Sequence, residues 1–394
     1  MSYTYSKLSK NIKRSEIREI LKWTRKPGLI SFGGGLPDPD LFPLKELSEI
    51  TTEVLETKGY LALQYGPTKG EAEMLEALCQ HMREFGDRAT CEEVCVVSSS
   101  QQGLDLLSML MLDDQTPIIV EMPTYLGALQ AFRRHNAKMI GVPMDDQGMR
   151  MDKLESTLEN LTEKPRFIYT IPDFQNPSGI TMSLERRQQL IEIAKKYDIP
   201  IVEDSPYREL RYVSETKPSI WTLSGSKNVI MLKTFSKILF PGMRMGWVVA
   251  EPDVVDKFVV LKQSVDLCTP SFNQLLLASY IKKGLMKETI EKAKKCYKPK
   301  KDAMVESLEK YMPAGVKWSK PEGGMFLWIE LPEHVDTKEI FMTAIEHEVA
   351  YIIGAPFYHD GSGKNTMRLS YSFPSIDQIK EGIKRMAEMI KSII

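Results

Sequence analysis

From about residue 70 the chain alternates between short apolar runs and segments whose apolar residues recur at helical spacing. The runs predict strands at 94–97, 118–120, 139–142, 167–171, 199–202, 229–232 and 247–250. Between most of them the spacing predicts helices: 71–85 with Met74, Leu75 and Leu78 inward, one from Gln102 with Leu104, Leu107 and Leu110 on one face, and 183–197. Near-continuous apolar runs suit strands covered on both faces, and their alternation with helices predicts an α/β fold with a mostly parallel, seven-stranded sheet between helices. Past about residue 270 the texture changes. Long Lys-rich helices over 272–311, strands at 325–331, 350–353 and 367–371, and helices at 337–348 and 375–394 predict a smaller α+β domain. Before residue 45, Ser15 is placed to cap a short helix carrying Ile17, Ile20 and Leu21, and 31–39 holds too much Gly and Pro for anything but loop. The expected division is an arm over 1–45 that packs with the small domain, a large domain over 46–275 and the small domain over 276–394.

The composition narrows this picture. Of 394 residues, 52 are Lys or Arg and 53 Asp or Glu, which argues against a general nucleic-acid or membrane-surface binder. No run of signal-peptide or membrane-spanning length occurs. Five scattered cysteines are neither a disulfide framework nor, with no His spaced after Cys91 and Cys95, a zinc site. The expectation is a metal-free protein of a reducing cytoplasm. The five histidines read as surface or packing residues.

Chemistry is sought where strands end, because open parallel sheets bind ligands at the C-terminal ends of their strands. After 94–97, Ser98-Ser99-Ser100-Gln101-Gln102-Gly103 opens a helix, as an N-cap or a phosphate seat. After 118–120 comes Tyr125, a core residue or a ring that stacks on a planar cofactor. Asn176-Pro177-Ser178-Gly179 follows the run 167–171, as a tight turn or an amide offered to a ligand oxygen. Asp204-Ser205-Pro206-Tyr207 ends 199–202, with the acid either in an exposed loop or buried against a protonated ring nitrogen. Thr234-Phe235-Ser236-Lys237, with Arg244 seven residues beyond the lysine, has the parts of a Schiff-base lysine beside a phosphate site.

Together these pieces resemble the fold-type I aminotransferases that use pyridoxal 5′-phosphate, over nearly the whole chain. Asn176 lies 28 residues before Asp204, and Asp204 33 before Lys237, in keeping with that family. A narrower likeness, to the 2-aminoadipate and kynurenine aminotransferases, rests on the segment from Ser15 to Leu21, on Phe32-Gly33-Gly34-Gly35-Leu36-Pro37, on Tyr65-Gly66-Pro67 and on Ser100-Gln101-Gln102-Gly103. The resemblance implies that Lys237 binds the cofactor aldehyde and later moves a proton, that Asp204 pairs with the pyridine nitrogen, and that Asn176 and Tyr207 bond the ring oxygen. Tyr125 stacks on the ring; Ser100 and Gln101, with Thr234 or Ser236 and Arg244, hold the phosphate. Tyr65 reaches the phosphate of a neighbouring subunit, implying a homodimer. Arg368 binds the substrate α-carboxylate, Gly35 lets backbone approach the substrate, and Arg18 meets the side-chain carboxylate of acidic substrates. The implied reaction passes the amino group of an L-amino acid (2-aminoadipate, aromatic or branched-chain) to a 2-oxo acid such as 2-oxoglutarate by ping-pong chemistry. A lyase on the same fold stays open as an alternative. The aminotransferase-like half of certain bacterial transcriptional regulators shares much of the pattern, but such regulators carry roughly 100 residues of DNA-binding domain and linker ahead of it, and only 30 residues precede Ser31 here.

Overall fold

A computed structural model describes residues 3–6, 8–9 and 28–394. The expected helix from Ser15 and the substrate-facing Arg18 lie outside the described residues.

The seven expected strands form one sheet, in the order Val94–Val97, Gly246–Val249, Val229–Thr234, Ile201–Asp204, Ile168–Thr170, Pro117–Met122, Lys138–Asp145. The last five run parallel. Gly246–Val249 is antiparallel to both of its neighbours, so the direction reverses twice and Val94–Val97 ends at the same edge as the five. The sheet has eight strands rather than seven. Gly148–Met149 folds back antiparallel on Met144 and Asp145 through a turn in which Gly148 takes φ +101°, and two residues leave no apolar run to read.

Alternate side chains of these strands enter two cores. Val96, Ile119, Ile168, Ile201, Met231 and Trp247 face one, and Val97, Ile118, Val120, Tyr169, Val202 and Leu232 the other. That two-sided burial is why the runs are continuously apolar. Lys138–Asp145, near the sheet edge, is the exception and is mostly half-buried.

The expected helices are present as Ala72–Glu84, Ser99–Met111 and Leu184–Lys196. In the C-terminal third, Ser271–Lys282 and Leu285–Tyr311 are separated at Gly284, whose φ is +76°. Helix Leu285–Tyr311 packs on Ile376–Lys391. A second sheet, antiparallel throughout, has the order Lys317–Trp318, Phe326–Glu330, Thr366–Ser370, Ile352–Ile353. Two expectations shift here. The run 350–353 divides at Tyr351, because Val349–Ala350 pairs in parallel with Ile30–Ser31 while only Ile352–Ile353 joins the sheet. The helix expected over 337–348 contracts to Phe341–Glu346, preceded by turns.

All five cysteines are free; Cys79 and Cys91 lie 3.7 Å apart, Sγ to Sγ, in a thiol hydrogen bond and not a disulfide. His81 is buried, packed on Phe85 and Trp247. Among the described residues no cluster of His, Cys, Asp or Glu fits a metal, and no helix is long and apolar enough to cross a membrane.

Candidate active site

Four parallel strands, neighbours in the sheet, end side by side and feed the loops singled out from the sequence. Val229–Thr234 leads to Lys237, Ile201–Asp204 ends in the aspartate, Ile168–Thr170 leads to Asn176, and Pro117–Met122 leads to Tyr125. The sheet therefore makes neighbours of residues that stand up to 112 positions apart, from Tyr125 to Lys237.

Asp204 is buried. Its Oδ2 accepts the Tyr169 hydroxyl at 2.7 Å, and its Oδ1 has no hydrogen-bond partner. Burial raises its pKa to about 6, and the Tyr169 bond opposes this only in part. A carboxylate oxygen kept dry and unpaired is costly unless a donor fills the place.

Lys237 donates from Nζ to the Gly35 carbonyl at 2.7 Å. Burial, then the charges of Arg368 and Arg244, lower its pKa to about 8. Such an amine spends an appreciable fraction of time unprotonated near neutral pH, as a nucleophile or proton carrier must.

Arg368 lies mid-strand in Thr366–Ser370. It donates from Nη1 to Asn176 Oδ1 at 2.8 Å and from Nη2 to the Gly33 carbonyl at 3.1 Å. Its guanidinium sits 4.1 Å from the Phe326 ring centre and 5.2 Å from that of Phe357. Burial lowers its pKa to about 10, which leaves it a cation at neutral pH. A methyl on Gly35 would come within 2.8 Å of Phe326, so the chain crosses that ring as bare backbone. Asn176 also donates to the Tyr207 hydroxyl at 3.4 Å. Tyr207 is buried with its pKa pushed up by desolvation, and the same cause, with the Asp204 charge, raises that of Tyr125.

A third group gathers at the other end. Thr234 Oγ1 donates to Ser236 Oγ at 3.0 Å, and Arg244, whose backbone is left-handed at φ +52°, donates to the same Ser236 oxygen at 3.5 Å. Gly246 pairs with Thr234, and a methyl there would lie 2.9 Å from the Ser100 backbone nitrogen. The N-terminus of helix Ser99–Met111 is thus pressed against the strand ends beside the Thr234–Ser236–Arg244 hydroxyls and cation. Gln101 reaches across to the Gly127 carbonyl at 3.1 Å. Free N–H groups, hydroxyls and an arginine together suit a dianion.

Tyr65 is not brought into this cluster. It is 79% exposed, in the segment that follows helix Leu44–Ala62, close in sequence to the exposed Tyr60, Leu61 and Leu63.

Several residues that shape the site were not singled out from the sequence. Tyr169 was visible only as a tyrosine inside an apolar run, where a buried hydroxyl needs a partner. Phe326 and Phe357 read as core. Glu121 and Gln175, which brace two of the loops, carried no signal beyond standing next to loop residues.

The model of the aminotransferase class I and II family matches residues 36–386. The chain belongs to that family. It is a pyridoxal-phosphate-dependent aminotransferase, and fold comparison agrees. It is 46% identical to aromatic-amino-acid aminotransferase 1 of Thermococcus litoralis over 98% of this chain and 94% of that one. It is 39% identical to the 2-aminoadipate transaminase of Thermus thermophilus over 100% and 98% of the two chains. The crystal structure of Pyrococcus horikoshii kynurenine aminotransferase in complex with PMP superposes with a TM-score of 0.95 at 43% identity, covering 98% of this chain and 97% of the other. The residues present fit the cofactor of the family: a dry, unpaired carboxylate oxygen for a ring N–H, an amine of lowered pKa for an aldehyde, and a helix N-terminus with hydroxyls and Arg244 for a phosphate.

Proposed function

We propose that this aminotransferase takes the amino group of an L-amino acid (2-aminoadipate, an aromatic or a branched-chain amino acid) and passes it to 2-oxoglutarate in two half-reactions at one site. The single observation that carries the assignment of roles is the unpaired Asp204 Oδ1 one strand away from a lysine of lowered pKa. Pyridoxal 5′-phosphate, when bound, supplies an aldehyde for an amine and a protonated ring that draws electrons from the substrate α-carbon.

The chain does the rest. Asp204 holds the ring N–H through Oδ1, while Tyr169 fixes its other oxygen. Asn176 and Tyr207 bond the ring oxygen, and Tyr125 covers a ring face. Ser100, Gln101, Thr234, Ser236 and Arg244 hold the phosphate. Lys237 would carry the proton away from the substrate α-carbon; its long side chain gives it the reach. Arg368 takes the α-carboxylate in a bidentate grip, a planar fork already stacked on Phe326. Gly35 leaves room beside it. Arg18 faces the distal carboxylate of acidic donors.

The arm over 1–45 and the domain over 276–394 close on the large domain over 46–275. The pairing of Ile30–Ser31 with Val349–Ala350 supports an arm that travels with the C-terminal part. Two copies form a homodimer in which Tyr65 of each reaches the phosphate of the other; its exposure on a single chain supports this. Five free cysteines support a reducing cytoplasm. The names of the relatives support the donor classes.

The test is a panel of amino donors (2-aminoadipate, phenylalanine, kynurenine, leucine) mixed with the loaded enzyme and followed by absorbance, with 2-oxoglutarate or pyruvate as acceptor. Donors from these classes should each discharge the long-wave band, and 2-oxoglutarate should restore it faster than pyruvate. Loaded enzyme that responds to none of the donors would sink the reading.

A further inference from the structure

Glu121 is the penultimate residue of the strand Pro117–Met122 and is fully buried. Its carboxylate accepts from the Thr170 hydroxyl at 2.5 Å, from the Ile171 backbone N–H at 3.1 Å and from Gln175 Nε2 at 3.1 Å. Gln175 is itself saturated. Its Nε2 also donates to the Pro123 carbonyl at 2.7 Å, and its Oε1 accepts from the backbone N–H and the hydroxyl of Ser178, at 2.9 and 2.7 Å. Four hydrogen bonds exhaust what a glutamine amide can make.

The two ends of this network are two active-site loops. Pro123 stands two residues before Tyr125, and Gln175 one before Asn176, which carries Arg368 on its Oδ1. No atom of Glu121 or Gln175 hydrogen-bonds to Lys237, Asp204 or Arg368, so both act at one remove. A buried carboxylate has a desolvation cost that the fold could avoid with an apolar residue here. What three converging donors to one carboxylate, and a saturated amide beside it, provide is a fixed geometry.

We propose that Glu121 and Gln175 are positioning residues: their network holds the Tyr125 and Asn176 loops at one separation and so sets how tightly the site grips its cofactor and the substrate carboxylate. The inference rests on the roles assigned above to Tyr125 and Asn176.

Three variants test it beside Asn176→Ala: Glu121→Gln, which keeps the volume but turns an amide N–H toward at least one donor; Gln175→Ala; and Thr170→Val, which removes one donor and leaves the carboxylate in place should the first two fold poorly. Cofactor affinity is measured by fluorescence quenching of the cofactor-free protein, KM and kcat for a donor on the loaded enzyme, and the thermal midpoint alongside. Glu121→Gln and Gln175→Ala should weaken cofactor binding about tenfold and raise KM about tenfold, with kcat changed by less than about threefold and Thr170→Val intermediate. If cofactor affinity and KM stay within twofold of the parent in all three while only the thermal midpoint falls, the network is merely structural and the inference is overturned. If they stay so although Asn176→Ala itself weakens both, the inference fails and the role of Asn176 stands; if Asn176→Ala is also without effect, both fall.

Discussion

Lys233 and Lys237 stand four residues apart and live in opposite surroundings. Lys233 is enclosed, 2.7 Å from Glu209 and 3.6 Å from Asp87, and Asp87 in turn holds Arg208 at 2.6 Å. Burial pulls the Lys233 pKa down, but the two carboxylates outweigh it and the net shift is upward. For Lys237 burial is reinforced by the charges of two cations, Arg368 and Arg244, and its shift is downward. Among the described residues, no carboxylate forms an ion pair with Lys237, Arg244 or Arg368. In one region every charge is answered within the chain; in the other the cations are left for anions that arrive. That contrast separates scaffold from site better than burial does, since both regions are dry.

The sharpest way to break the comparison is to remove each lysine. Lys237→Ala should lower turnover at least about a thousandfold and leave the thermal midpoint nearly unchanged, because the fold loses one hydrogen bond to Gly35 and strands no buried charge. Lys233→Met should do the reverse: it strands Glu209 without its cation, costs about 3–5 kcal/mol of stability, and leaves turnover per folded molecule close to the parent. Chemical denaturation and active-site-normalised kinetics on both proteins decide the matter. Equal stability losses would erase the distinction.

Asp204 gives a second, smaller test, on cofactor-free protein. Its folded pKa of about 6 lies above the unfolded value near 3.8, so the folded chain binds the proton more tightly. The ionised group thus opposes folding: the penalty is absent below about pH 4 and complete above about pH 6. The gap corresponds to about 3 kcal/mol. Relative to Asp204→Asn, the parent should therefore lose stability as pH rises from 4 to 6, by denaturant titration at each pH; parallel curves would refute it. Tyr169→Phe should have the least effect. Without the hydroxyl that favours its ionised form, Asp204 titrates higher still: the loss of stability should begin at the same pH, near the unfolded value, but run on to a higher pH and end larger than in the parent.

Much of the scaffold was legible because two-sided burial writes itself into the chain as apolar runs, and the five loops were legible because strand ends are where such sheets bind ligands. What escaped depends on pairings at long range. The reversed strand Gly246–Val249 has the same kind of apolar run as the parallel strands of the sheet, so its direction cannot be read from composition. Glu209, Asp87 and Arg208 look like any surface charges until the fold brings residues 87 and 208 to 2.6 Å. The stacking of Arg368 on Phe326 joins two strands of a sheet whose register is set by tertiary contact. Tyr65, exposed on one chain, shows how a residue legible as a motif can stand apart from the pocket it was read into.

The twice-reversed sheet also imposes an order of events. Val97 pairs with Gly246, 149 residues further along the chain. At a synthesis rate of about 5–20 residues per second, the ribosome makes Val94–Val97 roughly 7–30 s before the strand it needs. Until then the helix that begins at Ser99 has no wall at Gly246 to press against. The corner where helix Ser99–Met111 meets Thr234, Ser236 and Arg244 is therefore among the last parts of the large sheet to set during synthesis, although the helix's own residues are among the first of that sheet to be made.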